Sequence, residues 1–368
     1  MTTTHFIEPL DVLFLRGNQL FGEPGSYGEG LMPPWPSVAA GALRSRILVD
    51  DGVDLTAFAN GAQTHPTLGT PTEPGSFALQ AFHLARRDGQ TVEAVFHLPA
   101  DLVVTDDGQV QRIHPTQVHP ALATSFPLPL LPVLAQDQRR KAASGWWLRQ
   151  GGWQKYLHGQ PVTKSDLVPT AALWGYDERV GVGLDSATRS AAEGKLFTSR
   201  AIAMQPSVGF VVAVAGASVP NDGLLRLGGD GRGAALHAAQ LDWPEADLDA
   251  IARAGRCRIV LTSLGIFSDG WQLPGMDGNQ HITLPGLRAR VVSAAVSRAE
   301  TISGWNLAAR TPKAAQKAAG TGSVYWLDDL QISPDAMRKL AAQGLWTDPG
   351  EDAQRRAEGF NRFSFAAY

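Results

Sequence analysis

Two Asp-Gly turns do most to limit the fold of this chain. Asp88-Gly89 separates alternating apolar runs at 77–84 and 91–98, and Asp106-Asp107-Gly108 separates Leu102-Val103-Val104 from 110–114. Turns of this type match the right-handed twist of antiparallel strands, so both stretches are expected to be β-hairpins. Hairpins set between helices favour α+β over a doubly wound parallel sheet, whose strands need helical crossovers.

Other segments fit the same class. Residues 5–15 are rich in aliphatic and aromatic side chains and stop at Arg16-Gly17-Asn18, as a buried strand ending in a turn does. Glycine and proline forbid regular structure over 17–36, a long connection of the kind that carries function. Ser37 is the expected N-cap of a helix over 38–48, closed by Asp50-Asp51-Gly52. Five prolines in the eighteen residues 115–132 give an extended connector, and 146–159 gives a short aromatic helix or insertion. Strands are expected at 201–205, 210–214, 257–264, 287–297 and 323–327. Helices are expected at 242–254, with Pro244 at the first helical position, and at 334–342. The 368 residues predict two mixed domains, divided at 205/206.

Composition narrows the function classes. The single cysteine, Cys257, excludes an intrachain disulfide and any multi-cysteine metal site, which fits a reducing compartment. The first residues lack a basic stretch followed by an apolar one, and no apolar run reaches bilayer length, so a cytoplasmic protein without a membrane helix is expected. Net charge is −3, against a nucleic-acid binder of the strongly basic kind. The 32 basic residues are nonetheless 25 Arg and 7 Lys, and Arg suits bidentate phosphate contact; a GC-rich genome explains the same bias.

The common catalytic signatures are absent: there is no P-loop, no His-Glu-x-x-His and no Gly-x-Ser-x-Gly, and Gly229-Asp230-Gly231-Arg232-Gly233 lacks dinucleotide spacing. His114 and His119, in a proline-broken segment without a third ligand, make a poor metal site. Asp328-Asp329 reads as a solvated turn. What remains are three glycine-rich, arginine-flanked stretches, whose amides can converge on a phosphate where no Cβ blocks approach. They are the loop from Arg16 to Gly28, Glu178-Arg179-Val180-Gly181-Val182-Gly183-Leu184-Asp185, and Leu227-Gly228-Gly229-Asp230-Gly231-Arg232. Each alone also reads as a tight turn. The chain from Glu178 to Arg200 reads as a hairpin arm with Thr188 and Arg189 near its tip. Trp305, Tyr325 and Trp326, near Arg310, Lys313 and Lys317, suit either base stacking or the core.

Taken in order, these stretches resemble the RAMP-superfamily Cmr subunit of type III-B CRISPR effector complexes that caps the crRNA 5′ handle. The strand and loop from Ile7 through Arg16 to Gly22 are similar to that family's opening, and Pro36-Ser37-Val38-Ala39-Ala40-Gly41-Ala42-Leu43-Arg44 to its first helix. Glu178 to Asp185, Thr188-Arg189 and Glu193-Gly194-Lys195-Leu196-Phe197 follow at similar spacing. Leu227 to Arg232 then resembles its glycine turn, and Gly304-Trp305-Asn306, Pro312-Lys313 and Gly322-Ser323-Val324-Tyr325 complete a series spanning nearly the whole chain. Asn361 stands where a second glycine is typical of the C-terminal loop Gly359-Phe360-Asn361-Arg362-Phe363, which sets that loop apart.

The resemblance implies two ferredoxin-like, RRM-type units, 1–205 with a Pro-rich connector and hairpin insertion, and 206–368. It implies a non-catalytic subunit that holds the crRNA 5′ handle and docks the large palm-domain subunit and a backbone RAMP subunit, with no cofactor, metal or membrane. RNA contacts are expected at Arg16, Arg44, Arg179, Thr188, Arg189, Lys195, Gly229, Gly231, Arg232 and Lys313. One rival is a precursor-RNA endoribonuclease using His5, His114 or His119 as general base. The other is a scaffold whose loops never touch RNA.

Overall fold

The computed structural model describes residues 2–368 apart from 16, 18–26, 137–139, 186, 307–308, 310 and 349–351. The fold is α+β, built on two large antiparallel sheets. The first has eight strands in the order Leu167–Pro169, Trp146–Arg149, Thr91–His97, Ala78–Asp88, Val208–Ala215, Thr2–Pro9, Gly233–Ala238 and Asp222–Arg226. Both expected hairpins form, Ala78–Asp88 with Thr91–His97 and Leu102–Val104 with Val110–Arg112.

Thr2–Pro9 is a central strand covered on both faces, which is why its apolar run is continuous. Ile7 joins the cluster of Leu43, Phe210 and Val212, under the helix Pro36–Asp50. Phe6 joins the opposite cluster with Val211, Val260 and Trp326, against the second sheet. The strand stops at Pro9 rather than Leu15; Leu10 and Asp11 are exposed beyond it. Pro36, not Ser37, opens the helix, with Trp35 as the residue before it, because proline's fixed φ already suits the first turn.

Three other expectations shift. The proline-rich connector folds back as a ribbon, His114–Gln117 against Leu130–Val133, with Pro115 opposite Pro132. Residues 146–149 form a strand before the helix Gln150–Leu157. The helix expected from Asp242 starts at Leu248, capped by the Asp247 carboxylate, which accepts the Ala250 amide at 2.9 Å; side chains of the Gln150–Leu157 helix hold 242–245 in another course.

The second sheet runs His281–Leu284, Leu287–Ala295, Val324–Gln331, Cys257–Leu261 and Phe363–Ala366, with the helix Pro334–Gln343 capped by Ser333. Numbered by chain order, the four core strands of each sheet lie as second, third, first, fourth, all neighbours antiparallel. In the first sheet a helix connects strands one and two; in the second a helix connects three and four. The sheet changes after Ala238, since Val208–Ala215 and Gly233–Ala238 belong to the first, so a cut at 205/206 runs through one sheet.

A buried ion pair ties the second sheet to the turn before the short ribbon strand Leu102–Val104. Arg258 Nη1 lies 2.5 Å from Asp101 Oδ2, the Tyr156 hydroxyl donates to Asp101 Oδ1 at 2.7 Å, and the Arg258 guanidinium also donates to the carbonyls of Tyr156 and Ala367. Every polar atom of the pair finds a partner, the condition under which burial of charge is tolerated.

Candidate nucleic-acid interface

Two of the glycine-rich stretches meet the root of the arm beyond the first strand. Leu13 exchanges backbone hydrogen bonds with Ile202 at 2.8 and 2.9 Å, and the Gly229 amide donates to the Phe14 carbonyl at 2.8 Å. Tyr27–Glu29 pairs in parallel with 198–200. The segment 11–15 therefore runs between the arm and the turn Leu227 to Arg232; Arg16 and 18–26 lie outside the described residues.

Charge gathers here. Arg232 Nη1 is 2.5 Å from Asp11 Oδ2, and its guanidinium lies 5.0 Å over the Phe14 ring. The Val12 amide, followed by the cations of Arg232 and Arg179, holds the Asp11 carboxyl below the usual carboxylate range. Arg179 is itself clasped by Asp177 at 2.8 and 2.9 Å. Arg179 and Arg232, from separate stretches, thus share one neighbourhood. In the turn, Gly228, Asp230 and Gly231 have positive φ, which permits the tight reversal. Because the Gly229 amide is bound to Phe14, the phosphate cradle expected of two glycines reduces to Gly231, which faces open space.

The arm is a two-stranded ribbon, Trp174–Leu184 and Ala191–Met204. Its Gly-x-Gly is strand rather than anion-binding turn: Gly181 makes room for the Phe197 ring and Gly183 for the Lys195 stem. Alternation gives the arm two faces. Arg179, Lys195, Phe197 and Ser199 share one. Tyr176, Val180, Val182, Leu184 and Leu196 share the other, all exposed, Val180 at 71%. At the tip, Asp185 accepts the amides of Ala187 and Thr188 and the Thr188 hydroxyl, so Thr188 closes the turn. Arg189, with φ 53°, and Lys195 are exposed without an ion pair among the described residues.

Arg44 and Lys313 lie at a second place, the seam between the halves. Lys313 Nζ is 2.6 Å from Glu358 Oε1, and Arg355 Nη1 is 3.2 Å from Glu358 Oε2. Arg44, its guanidinium 5.0 Å over Phe77, feels the same carboxylate; burial holds its pKa below the ordinary arginine value despite Glu358. Of the ten expected residues, the nine that are described therefore fall into a root cluster, an arm tip and a seam; Arg16 lies outside the described residues. Arg355, Glu358, Asp11 and Arg200 were not singled out from sequence. An Arg-x-x-Glu spacing, as in Arg355 and Glu358, is the helical ion-pair signal that marked two of them.

Other candidates move into the interior. Tyr325 and Trp326 are core residues, while Trp305 is exposed. Asn361, at φ 58°, is 1% exposed: it accepts the Ile266 amide at 2.6 Å and donates to the carbonyls of Ile266 and Leu345. The C-terminal loop is thus an internal brace. His5 is buried with both ring nitrogens unpartnered among the described residues, and burial lowers its pKa, so it is sealed from any RNA strand. His114 and His119 are exposed, and His119 Nδ1 accepts the Ala121 amide. Asp328-Asp329 lies within a strand, where Asp328 accepts the Tyr368 hydroxyl; among the described residues no cluster suits a metal ion. No helix among them is long and apolar enough to cross a membrane.

Residues 5–364 match the family described as CRISPR-associated protein (Cas_Cmr3). The chain belongs to the Cmr3 family. No curated protein matches its sequence. The fold of this Cmr3-family chain is similar to a chain in the cryo-EM structure of the type III-B Cmr-β complex bound to cognate target RNA. The TM-score is 0.51 at 13% identity, covering 98% of this chain and 96% of the other. A second match, in the same complex bound to cognate target RNA and AMPPnP, has a TM-score of 0.50 at 14% identity, covering 98% of each chain. The expected Cmr family is thereby confirmed.

Proposed function

We propose that this Cmr3-family chain is a non-catalytic, cytoplasmic RNA-binding subunit of a type III-B Cmr effector complex, holding the 5′ handle of the crRNA. The observation that carries this reading is the Arg232–Asp11 pair, with Arg179 close enough for its charge to act on Asp11, beside the open Gly231 turn and at the root of an arm with an exposed Arg189 and Lys195. Solvent-exposed pairs such as Arg179–Asp177 contribute only about 0.2–1 kcal/mol, so a phosphate displaces the carboxylate at little cost. Arginine forks then hold the backbone, and the Phe197 ring on the same face of the arm offers a stacking platform for an unpaired base.

We read each sheet as a ferredoxin-like unit of the RRM type. The shared second–third–first–fourth strand order supports this, each unit keeping one of its two connecting helices. The apolar face of the arm suits a protein neighbour, since contiguous exposed apolar surface marks interaction sites. The large palm-domain subunit and a backbone RAMP subunit are the partners we assign.

The test is RNA binding by the Arg179→Gln/Arg232→Gln double variant, measured by anisotropy from low to high salt with single-stranded RNA carrying the repeat-derived 5′ end. Losing two phosphate contacts flattens the log–log salt slope by about 1.4, at roughly 0.7 per contact, and weakens affinity. Unchanged slope and affinity would reject the root cluster as an RNA clamp. Cleavage of repeat RNA by the purified chain, abolished by His114→Ala or His119→Ala, would replace this reading with the endoribonuclease.

A further inference from the structure

A cleft of about 110 Å³ is lined from both sheets. Gln80 and His83 line it from the strand Ala78–Asp88 of the first sheet, and Ser364 from the strand Phe363–Ala366 of the second. Thr262, Arg362 and Trp243 line it too, the Trp243 indole donating to Thr4 Oγ1 at 3.3 Å. All of these except Arg362 are half-buried, so the cleft reaches solvent.

Arg362 is 5% exposed and held in place from three sides. Its amide donates to Ser263 Oγ at 2.8 Å, and its carbonyl accepts the amides of Thr262 and Ser263 at 2.8 and 3.2 Å. Its Nη1 donates to the Ala342 carbonyl at 2.7 Å, in the last turn of the helix Pro334–Gln343. The other edge of the guanidinium is free. Nε is buried without a hydrogen-bond partner, and Nη2 has none, among the described residues.

The charge is as unbalanced as the hydrogen bonding. No Asp or Glu is among the described residues that line the cleft. Burial, followed by the charge of Arg356, pushes the Arg362 pKa down to about 10, so nothing beside the cation compensates for its lost hydration. Water alone does not mend this. The volume has room for about three waters at roughly 30 Å³ each, and these would satisfy the N–H groups but bring no counter-charge to a cation in low dielectric. An oxyanion supplies both. The Nε–Nη2 edge offers two parallel N–H groups, the fork that grips two oxygens of one carboxylate or phosphate. The hydroxyls of Thr262 and Ser364 and the Gln80 amide are further donors lining the same space.

We propose that this cleft binds one small oxyanion, two of whose oxygens accept from Nε and Nη2 of Arg362. Inorganic phosphate and a small free carboxylate share that chemistry. Because the ligand lies against residues of both sheets, its binding stabilises their arrangement by mass action.

The full-length chain is compared with Arg362→Gln, which removes the fork, and with Ala341→Leu, which narrows the cleft at another lining residue and leaves the arginine intact. Thermal midpoints are measured in millimolar inorganic phosphate, in acetate and in chloride at equal ionic strength, and affinity by calorimetry. At least one oxyanion is expected to raise the midpoint of the native chain above the chloride value and to shift the imidazole NMR signals of His83. Both variants are expected to lose this excess, with affinity roughly tenfold weaker or worse, as for loss of a charged hydrogen-bond pair. A response to phosphate alone assigns inorganic phosphate, and a response to acetate alone assigns a carboxylate. No excess over chloride, or an excess that persists in the variants, overturns the proposal; should Arg362→Gln fail to fold, Ala341→Leu decides. Arg179→Gln/Arg232→Gln leaves these residues in place, so failure of the RNA-binding reading and failure of this site are separate outcomes.

Discussion

The arm and the buried Arg258–Asp101 pair use the same residue type to opposite ends. On the arm, Arg179 and Arg200 clasp Asp177 and Glu178 in exposed pairs. In the interior, Arg258 and Asp101 are 1% and 0% exposed, and the guanidinium lies 4.3 Å over the Tyr156 ring. Water screens the first kind of pair, leaving a cation that exchanges partners readily. Exclusion of water makes the second kind a fixed joint, because removing either partner strands a charge in low dielectric. A binding surface needs the former and a two-sheet architecture the latter.

The largest expected effect breaks the joint. Asp101→Asn or Arg258→Met alone should destabilise the chain by about 3–5 kcal/mol in urea unfolding, whereas Asp101→Leu combined with Arg258→Met should cost clearly less than either, since no charge is left unpaired. Equal losses in single and double variants would show that packing, not charge, holds this joint.

A smaller effect is read from pH. His83 sits beside Phe96 and Trp243, at ring distances of 4.7 and 6.1 Å, and burial pushes its pKa down from 6.5 to about 4. The unfolded chain therefore takes up a proton that the folded chain refuses. Stability is full above pH 6.5 and falls as pH drops toward about 4, by up to about 3 kcal/mol from this group. Unfolding of His83→Phe across that window should show a shallower acid slope; an unchanged slope assigns the acid sensitivity to other groups, the buried His5 first among them.

The smallest effect belongs to the arm. Arg179→Gln should change unfolding free energy by less than about 0.5 kcal/mol, within the range of surface substitutions, while altering RNA binding. A loss as large as that of Arg258→Met would mean that the arm's ion pairs are structural and would erase the contrast.

Local chemistry made much of this fold legible. Asp-Gly turns placed both hairpins, the chain from Glu178 to Arg200 read as a hairpin arm, and 334–342 read as a helix, and all three form. Two of the misplaced elements share a cause, competition from distant groups: Gln150 and Gln154 hold 242–245 out of a helix, and Pro115 and Pro132 pair in a ribbon instead of extending separately. The site was legible as a set of residue types. Arg179 and Arg232 were among them; that Arg232 pairs with Asp11 within reach of the Arg179 charge, and that Gly181 and Gly183 serve Phe197 and Lys195, depends on partners remote in the chain.

By itself the sequence determined the class of fold, the order of turns and strands, and the family, because each rests on interactions between near neighbours or on the linear order of motifs. Only the tertiary structure decided which arginines are exposed and which are sealed. That depends on the dielectric around each guanidinium, and so on side chains brought from remote parts of the chain. Asn361 and Arg258 look no different in the chain from residues at a binding loop, yet burial makes one a brace and the other a joint.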